Sequence, residues 1–202
     1  MTSTWLLTST TYGSWLPGDE RGFVSRVKDG DGPRVLHNVP ETPVDKDLAG
    51  LRQSARELMR CPPILLSREQ ALVVLDQFRE TAAYRYWHLL AGAVMGNHFH
   101  LVVAASDDVH STVMLRDFKS YASRALKRKW AKPASGTWWT ESGSRRLLPD
   151  DPAVESAIEY VRRQQSPLAM WIASDNALSG GVSPPSAHKT RGADAPRSEQ
   201  FF

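Results

Sequence analysis

Two apolar runs, Trp87 to Val94 and His98 to Ala104, are separated only by Met95-Gly96-Asn97. Short runs joined by a tight Gly-Asn turn read as neighbouring strands. Side chains alternate faces along a strand, so residues i and i+2 project together. His98 and His100 therefore point to one side and Phe99 to the buried other. Every other segment has to be arranged around this pair of strands.

Helical patterns flank the pair. Ser67, followed by Glu69-Gln70, caps a helix that runs to about Tyr84, with Ala71, Leu72, Leu75, Phe78 and Ala82 as its apolar stripe. A second helix covers about Ser111 to Trp130, turning Leu115, Phe118, Ala122 and Ala125 inward. Thr4 to Tyr12 reads as a first strand, and Trp138-Trp139-Thr140-Glu141 as a short strand candidate. Asp150-Asp151 caps a last helix over Ala153 to Gln165, with Pro152 at its start and Val154, Ala157, Ile158 and Val161 as its stripe.

From Gly13 to about Pro43 the chain is rich in Gly, Pro, Asp and Arg and reads as a long structured loop or short hairpin. Asp45 to Met59 has helical spacing and is ended by Pro62-Pro63. Without this insertion, about 18–63, the order is βαββαβ. That order predicts the α+β class, a ferredoxin-like antiparallel sheet with helices packed on one face. One domain over 1–173 and a disordered tail over 174–202 complete the expected organisation.

Composition excludes several classes. Among 202 residues Cys61 is the only cysteine, so neither a disulfide framework nor a cysteine zinc site is available. No apolar run approaches the roughly 18–20 residues of a membrane span, and the N-terminus does not look like a signal peptide. A soluble, cytoplasmic protein is expected. The formal charge of +3 leans slightly toward a polyanionic partner.

Two imidazoles on one strand face can also be an ordinary half-exposed strand surface. At the strand's start, beside a turn, they can instead supply two ligands to a metal, with a third required from elsewhere. The last helix offers one. Tyr160 and Gln164 are i and i+4 and share a helix face. Gln164 could complete the ligand set, with water and a phosphate oxygen beside it. Tyr160 would then stand next to the ion, which a phenol of pKa about 10 needs before it attacks phosphorus. Spacing alone favours a packing role for Tyr160. Tyr121 has Ala125 at i+4 and reads as packing or substrate contact.

The second helix and its extension carry Arg116, Lys119, Arg124, Lys127, Arg128, Lys129 and Lys132 against Asp117 alone. This is either a solvated charged face or a phosphate track. Arg145-Arg146, after Trp138-Trp139, adds cationic groups, and the tryptophans are either stacking groups or core.

These residues resemble the HUH single-tyrosine transposases, and within them the REP-associated tyrosine transposase branch. His98-Phe99-His100, in the Met95-Gly96-Asn97-His98 context, is similar to the family's histidine-hydrophobe-histidine motif. Ala157 to Gln164 is similar to its tyrosine helix, Thr11 to Asp19 to a segment of that branch, and Phe118-Lys119-Ser120-Tyr121 to its basic helix. The resemblance spans roughly Trp5 to Trp171. It departs from the pattern in the long insertion and in Gln165-Ser166-Pro167, where the family commonly has Asn-Pro.

The resemblance implies a nuclease of ferredoxin-like fold that cleaves single-stranded DNA beside a hairpin with Mg²⁺ or Mn²⁺. It implies a 5′-phosphotyrosine on Tyr160, with His98, His100 and Gln164 as metal ligands. Lys119, Arg124, Lys127, Arg128, Arg145 and Arg146 are the expected DNA contacts, on a monomer or a homodimer. Two other functions fit the same residues. One is a domesticated hairpin-binding protein without transposition; the other is a metal phosphodiesterase that uses water, with Tyr160 structural.

Overall fold

Ser67 forms the expected capping box: its hydroxyl accepts from the Gln70 N–H at 3.2 Å, and the Gln70 side chain accepts from the Ser67 N–H at 2.9 Å. The helix it opens is one of eleven elements in a computed structural model that describes residues 1–17, 19, 25–28, 34–37 and 49–174. In chain order these are β1 (Thr2–Thr10), β2 (Ser25–Lys28), β3 (Arg34–His37), α1 (Ala49–Glu57), α2 (Arg68–Tyr84), β4 (His88–Val94), β5 (His98–Ser106), α3 (Ser111–Lys127), β6 (Ser144–Leu148), α4 (Asp151–Arg162) and β7 (Ala169–Ile172). Much of the expected insertion, and the expected tail beyond residue 174, lie outside the described residues. No helix among the described residues is long and apolar enough to cross a membrane.

The strands of the main sheet run in the order β6-β1-β5-β4-β7, and every neighbouring pair is antiparallel. Its first four strands have the order of the expected βαββαβ unit. β7 extends that unit by pairing along β4, with Gly92 opposite Trp171. β2 and β3 form a separate hairpin.

The two helices of the βαββαβ unit, α2 and α3, pack on one face as expected, and α4 covers the other. Phe99, Leu101, Val103 and Leu7 pack with α2 and α3 through Val74, Phe78, Met114, Phe118 and Leu126. Ala91, Ala93 and Val102 pack instead with α4 through Ala157, Ile158 and Val161. Alternation along β5 explains the division, since Phe99 and Leu101 face one way and His98, His100 and Val102 the other.

Phe99 is the anchor of that choice. Fully buried, its ring lies 4.8 Å from Phe78 and 5.3 Å from Trp139. Such edge and tilted contacts add about 0.5–1.5 kcal/mol each beyond area burial. Rotating the strand would expose this ring, so both histidines are held toward α4.

Trp138 and Trp139 are buried core residues, not a regular strand and not an exposed stacking platform. Their only ladder contact among the described residues is the isolated Thr11–Trp139 bridge. The edge strand is β6, whose register sets Ser144 opposite Thr8 and Arg146 opposite Leu6. At the far end of the sheet the buried Asp117 carboxylate receives Arg85 at 2.6 Å and Arg116 at 3.1 Å, joining the end of α2 to α3.

Candidate functional site

β1 and β5 place Thr10 opposite His98 and Thr8 opposite His100. The two imidazole rings lie 5.0 Å apart, nearly perpendicular. His100 is buried, and desolvation, with a smaller contribution from the His98 charge, pushes its pKa down from 6.5 to about 4. It is therefore neutral near pH 7, the form that can donate a lone pair to a cation. Its Nδ1 lies 2.7 Å from Thr8 Oγ1, and His98 Nδ1 lies 2.6 Å from Asn97 Oδ1.

Asp150 starts α4 by accepting from the Ala153 N–H at 2.8 Å, with Pro152 in the first turn. The stripe Ala157, Ile158 and Val161 then seats the helix on the His98–His100 face. Tyr160, flanking that stripe, projects over His100: its hydroxyl is 3.3 Å from His100 Nε2 and the rings are 5.0 Å apart. The tyrosine is 48% exposed.

Gln164 is beside Tyr160 but not on the same helix turn. α4 ends at Arg162, and the Gln164 amide donates back to the Tyr160 carbonyl at 3.1 Å. Its described hydrogen bonds are this one and that of its backbone N–H to the Val161 carbonyl. Among the described residues no three His, Cys, Asp or Glu side chains gather into a metal site. The donor set brought together here is the imidazoles of His98 and His100, while the Gln164 amide meets the Tyr160 main chain. Such a set fits a divalent ion that keeps open positions for water and phosphate oxygen.

The basic residues divide. α3 packs on the sheet face opposite the histidines, so Arg124, Lys127 and Arg128 are exposed on the far side from Tyr160. Arg124 stacks over Tyr121 at 5.0 Å, and Arg128 donates to Gln77 at 3.0 Å. Lys119, an expected DNA contact, is engaged within the protein. Its ammonium donates to the carbonyls of Thr140, Glu141 (3.0 Å) and Ser142 (3.2 Å), which takes up all three of its protons. Burial pushes its pKa down to about 8, opposed by the Glu141 charge.

Arg145 and Arg146 alternate faces on the edge strand. Arg145 lines a cleft of about 570 Å³ with Arg116, Lys119 and Trp139, whereas Arg146 shares the histidine face beside Leu6. Sequence reasoning missed Thr8 and Asn97. Thr8 is one of several Thr and Ser residues in β1, and only the β1–β5 register singles it out.

Two solved structures are similar to this chain. One is a REP-associated tyrosine transposase bound to a REP hairpin, 9% identical, with a TM-score of 0.41, covering 79% of this chain and 64% of that one. The chain thus spans less than two thirds of the length of that protein. The other is a candidate transposase from Deinococcus radiodurans, 14% identical, with a TM-score of 0.41, covering 82% of this chain and 92% of that one. No protein-family model and no curated protein matches the sequence.

Proposed function

We propose that this protein is a metal-dependent single-stranded DNA endonuclease and strand transferase, acting beside DNA hairpins with Tyr160 as nucleophile. The observation that carries the proposal is the approach of the Tyr160 hydroxyl to within 3.3 Å of His100 Nε2, across 60 residues of sequence, on the face that also bears His98. A packing tyrosine has no need to meet a histidine pair at a half-open surface.

His98 and His100 would hold Mg²⁺ or Mn²⁺, with the Gln164 amide as the third protein group. When bound, the ion supplies charge neutralisation at the phosphoryl group and favours the ionised phenol. The Tyr160 oxygen then bonds to phosphorus as the bond to the 3′ oxygen breaks. The phenol's proton passes to solvent, and the departing 3′ oxygen takes one up. The product is a 5′-phosphotyrosine and a free 3′-hydroxyl. Attack by another 3′-hydroxyl reverses the step and joins a new strand. Arg146 lies on the reacting face, suited to a neighbouring phosphate. Arg124, Lys127 and Arg128 offer a separate electrostatic track to the structured part of the DNA.

Labelled single-stranded DNA carrying candidate hairpins from the gene's flanking repeats, incubated with Mn²⁺ and run on a denaturing gel, tests this. A protein–DNA adduct that is lost in Tyr160→Phe and kept in Tyr121→Phe is expected. Cleavage that survives Tyr160→Phe would assign the attack to water. Tight hairpin binding without cleavage would make the protein a binder only.

A further inference from the structure

We propose that Thr8 and Asn97 are positioning residues that hold both imidazoles as the Nδ1–H tautomer, so that His100 and His98 each turn an Nε2 lone pair toward the same face. This rests on the metal-site reading above for its purpose, though the tautomers can be measured without it.

The two contacts come from different directions. Thr8 reaches His100 across the β1–β5 ladder at 2.7 Å, and Asn97 reaches His98 along the chain at 2.6 Å. Both partners are themselves fixed. Thr8 is β-branched and sits in a paired strand, which restricts its χ1. The Asn97 main-chain carbonyl, distinct from the side-chain oxygen that meets His98, accepts from the Thr11 N–H at 2.8 Å and from the Thr11 hydroxyl at 3.1 Å, which pins the turn.

Asn97 meets His98 through its carbonyl oxygen, which can only accept, so the proton belongs on His98 Nδ1. At His100 the same tautomer lets Nδ1–H donate to Thr8 while Nε2 accepts from the Tyr160 hydroxyl, and both contacts are satisfied without conflict. Reversing either proton would place N–H on Nε2 and remove a ligand. Partners of this kind, hydrogen-bonded to metal-binding histidines, are typically worth about 10–100-fold in metal affinity.

The full chain, labelled with ¹⁵N-histidine and kept metal-free, gives the tautomers by long-range ¹H–¹⁵N correlation; calorimetry with Mn²⁺ gives the affinity. Both rings should be Nδ1–H in the wild-type protein. Thr8→Val should shift His100 toward Nε2–H and weaken Mn²⁺ binding by about 10-fold or more. Thr8→Ser, which keeps the hydroxyl, should restore both readouts, and Asn97→Asp should hold His98 where Asn97→Ala does not. Circular dichroism checks that each variant is folded. A wild-type Nε2–H tautomer at either ring, or a folded Thr8→Val protein that binds Mn²⁺ as tightly as wild type, would overturn the proposal. Nδ1–H tautomers in a protein that takes up no Mn²⁺ would sink the metal reading and leave the positioning supported.

Discussion

Acidification should destabilise this protein through His100, by an amount that one variant can isolate. In the unfolded chain the imidazole takes up a proton as pH falls through its ordinary value of 6.5, whereas in the folded protein it stays neutral down to about 4. Between those values the unfolded state binds more protons, so stability present above pH 6.5 is lost as pH falls. Integrating the two titrations gives a loss of about 2 kcal/mol between pH 7 and pH 5, and about 3 kcal/mol by pH 4. Other groups add their own pH dependence, but His100→Asn shares those and lacks this one. Urea unfolding of both proteins, in chelator at pH 7 and pH 5, measures the difference. The stability gap between wild type and variant should narrow by about 2 kcal/mol over that interval. A gap that stays constant to within about 0.5 kcal/mol would refute the argument, because the imidazole would then titrate alike in both states.

Further outcomes follow from the packing. Lys119→Met removes the ammonium from the Thr140 and Glu141 carbonyls, whereas the Ser142 carbonyl keeps the Ser9 hydroxyl, and should cost about 1–2 kcal/mol in urea unfolding. It should leave the salt dependence of DNA binding unchanged, while Arg124→Gln and Lys127→Gln each lower the slope by about 0.7–0.9. Phe99→Ala should cost about 3–5 kcal/mol by the same unfolding assay, and a small loss would remove Phe99 as the residue that sets strand facing. A Cβ on Gly143 would meet the Thr8 carbonyl at 2.5 Å, so Gly143→Ala should lower stability by about 1–3 kcal/mol in thermal melts. Gly50 in α1 has open space around it, and Gly50→Ala should instead stabilise by about 0.5–1 kcal/mol.

Local chemistry was legible in the sequence wherever neighbours along the chain decide the outcome. Ser67 and Gln70 are three residues apart and form the cap they predict; Met95-Gly96-Asn97 makes the hairpin; Asp150 and Pro152 start α4. Which face a helix occupies depends on long-range packing, so the separation of α4 from α2 and α3 was not readable. The Trp138-Trp139 pair is core, one of the two readings its residue types allowed, while the short strand over 138–141 did not form because aromatic residues favour strands and cores alike. β6 was hidden because four of its five residues are exposed, which erases the alternation that marks a half-buried strand. The meeting of His100 with Tyr160 was an expectation of the family resemblance, since spacing alone favoured a packing role. The role of Thr8 needed a register that no local pattern encodes.

The three layers of this fold differ in strength. Large side chains, Phe78, Phe99, Phe118, Met114 and Leu126, bind α2 and α3 to the sheet, whereas α4 is held mainly by Ala91, Ala93, Val102, Ala157, Ile158 and Val161. Smaller apolar groups remove less surface from water, so of the three helices packed on the sheet α4 opens at the lowest free energy. Opening carries Tyr160 away from His100 while the rest of the sheet stays intact. Heating should thus switch the chemistry off several degrees before the molecule melts, and an inactivation curve would report on one helix, not on the whole fold.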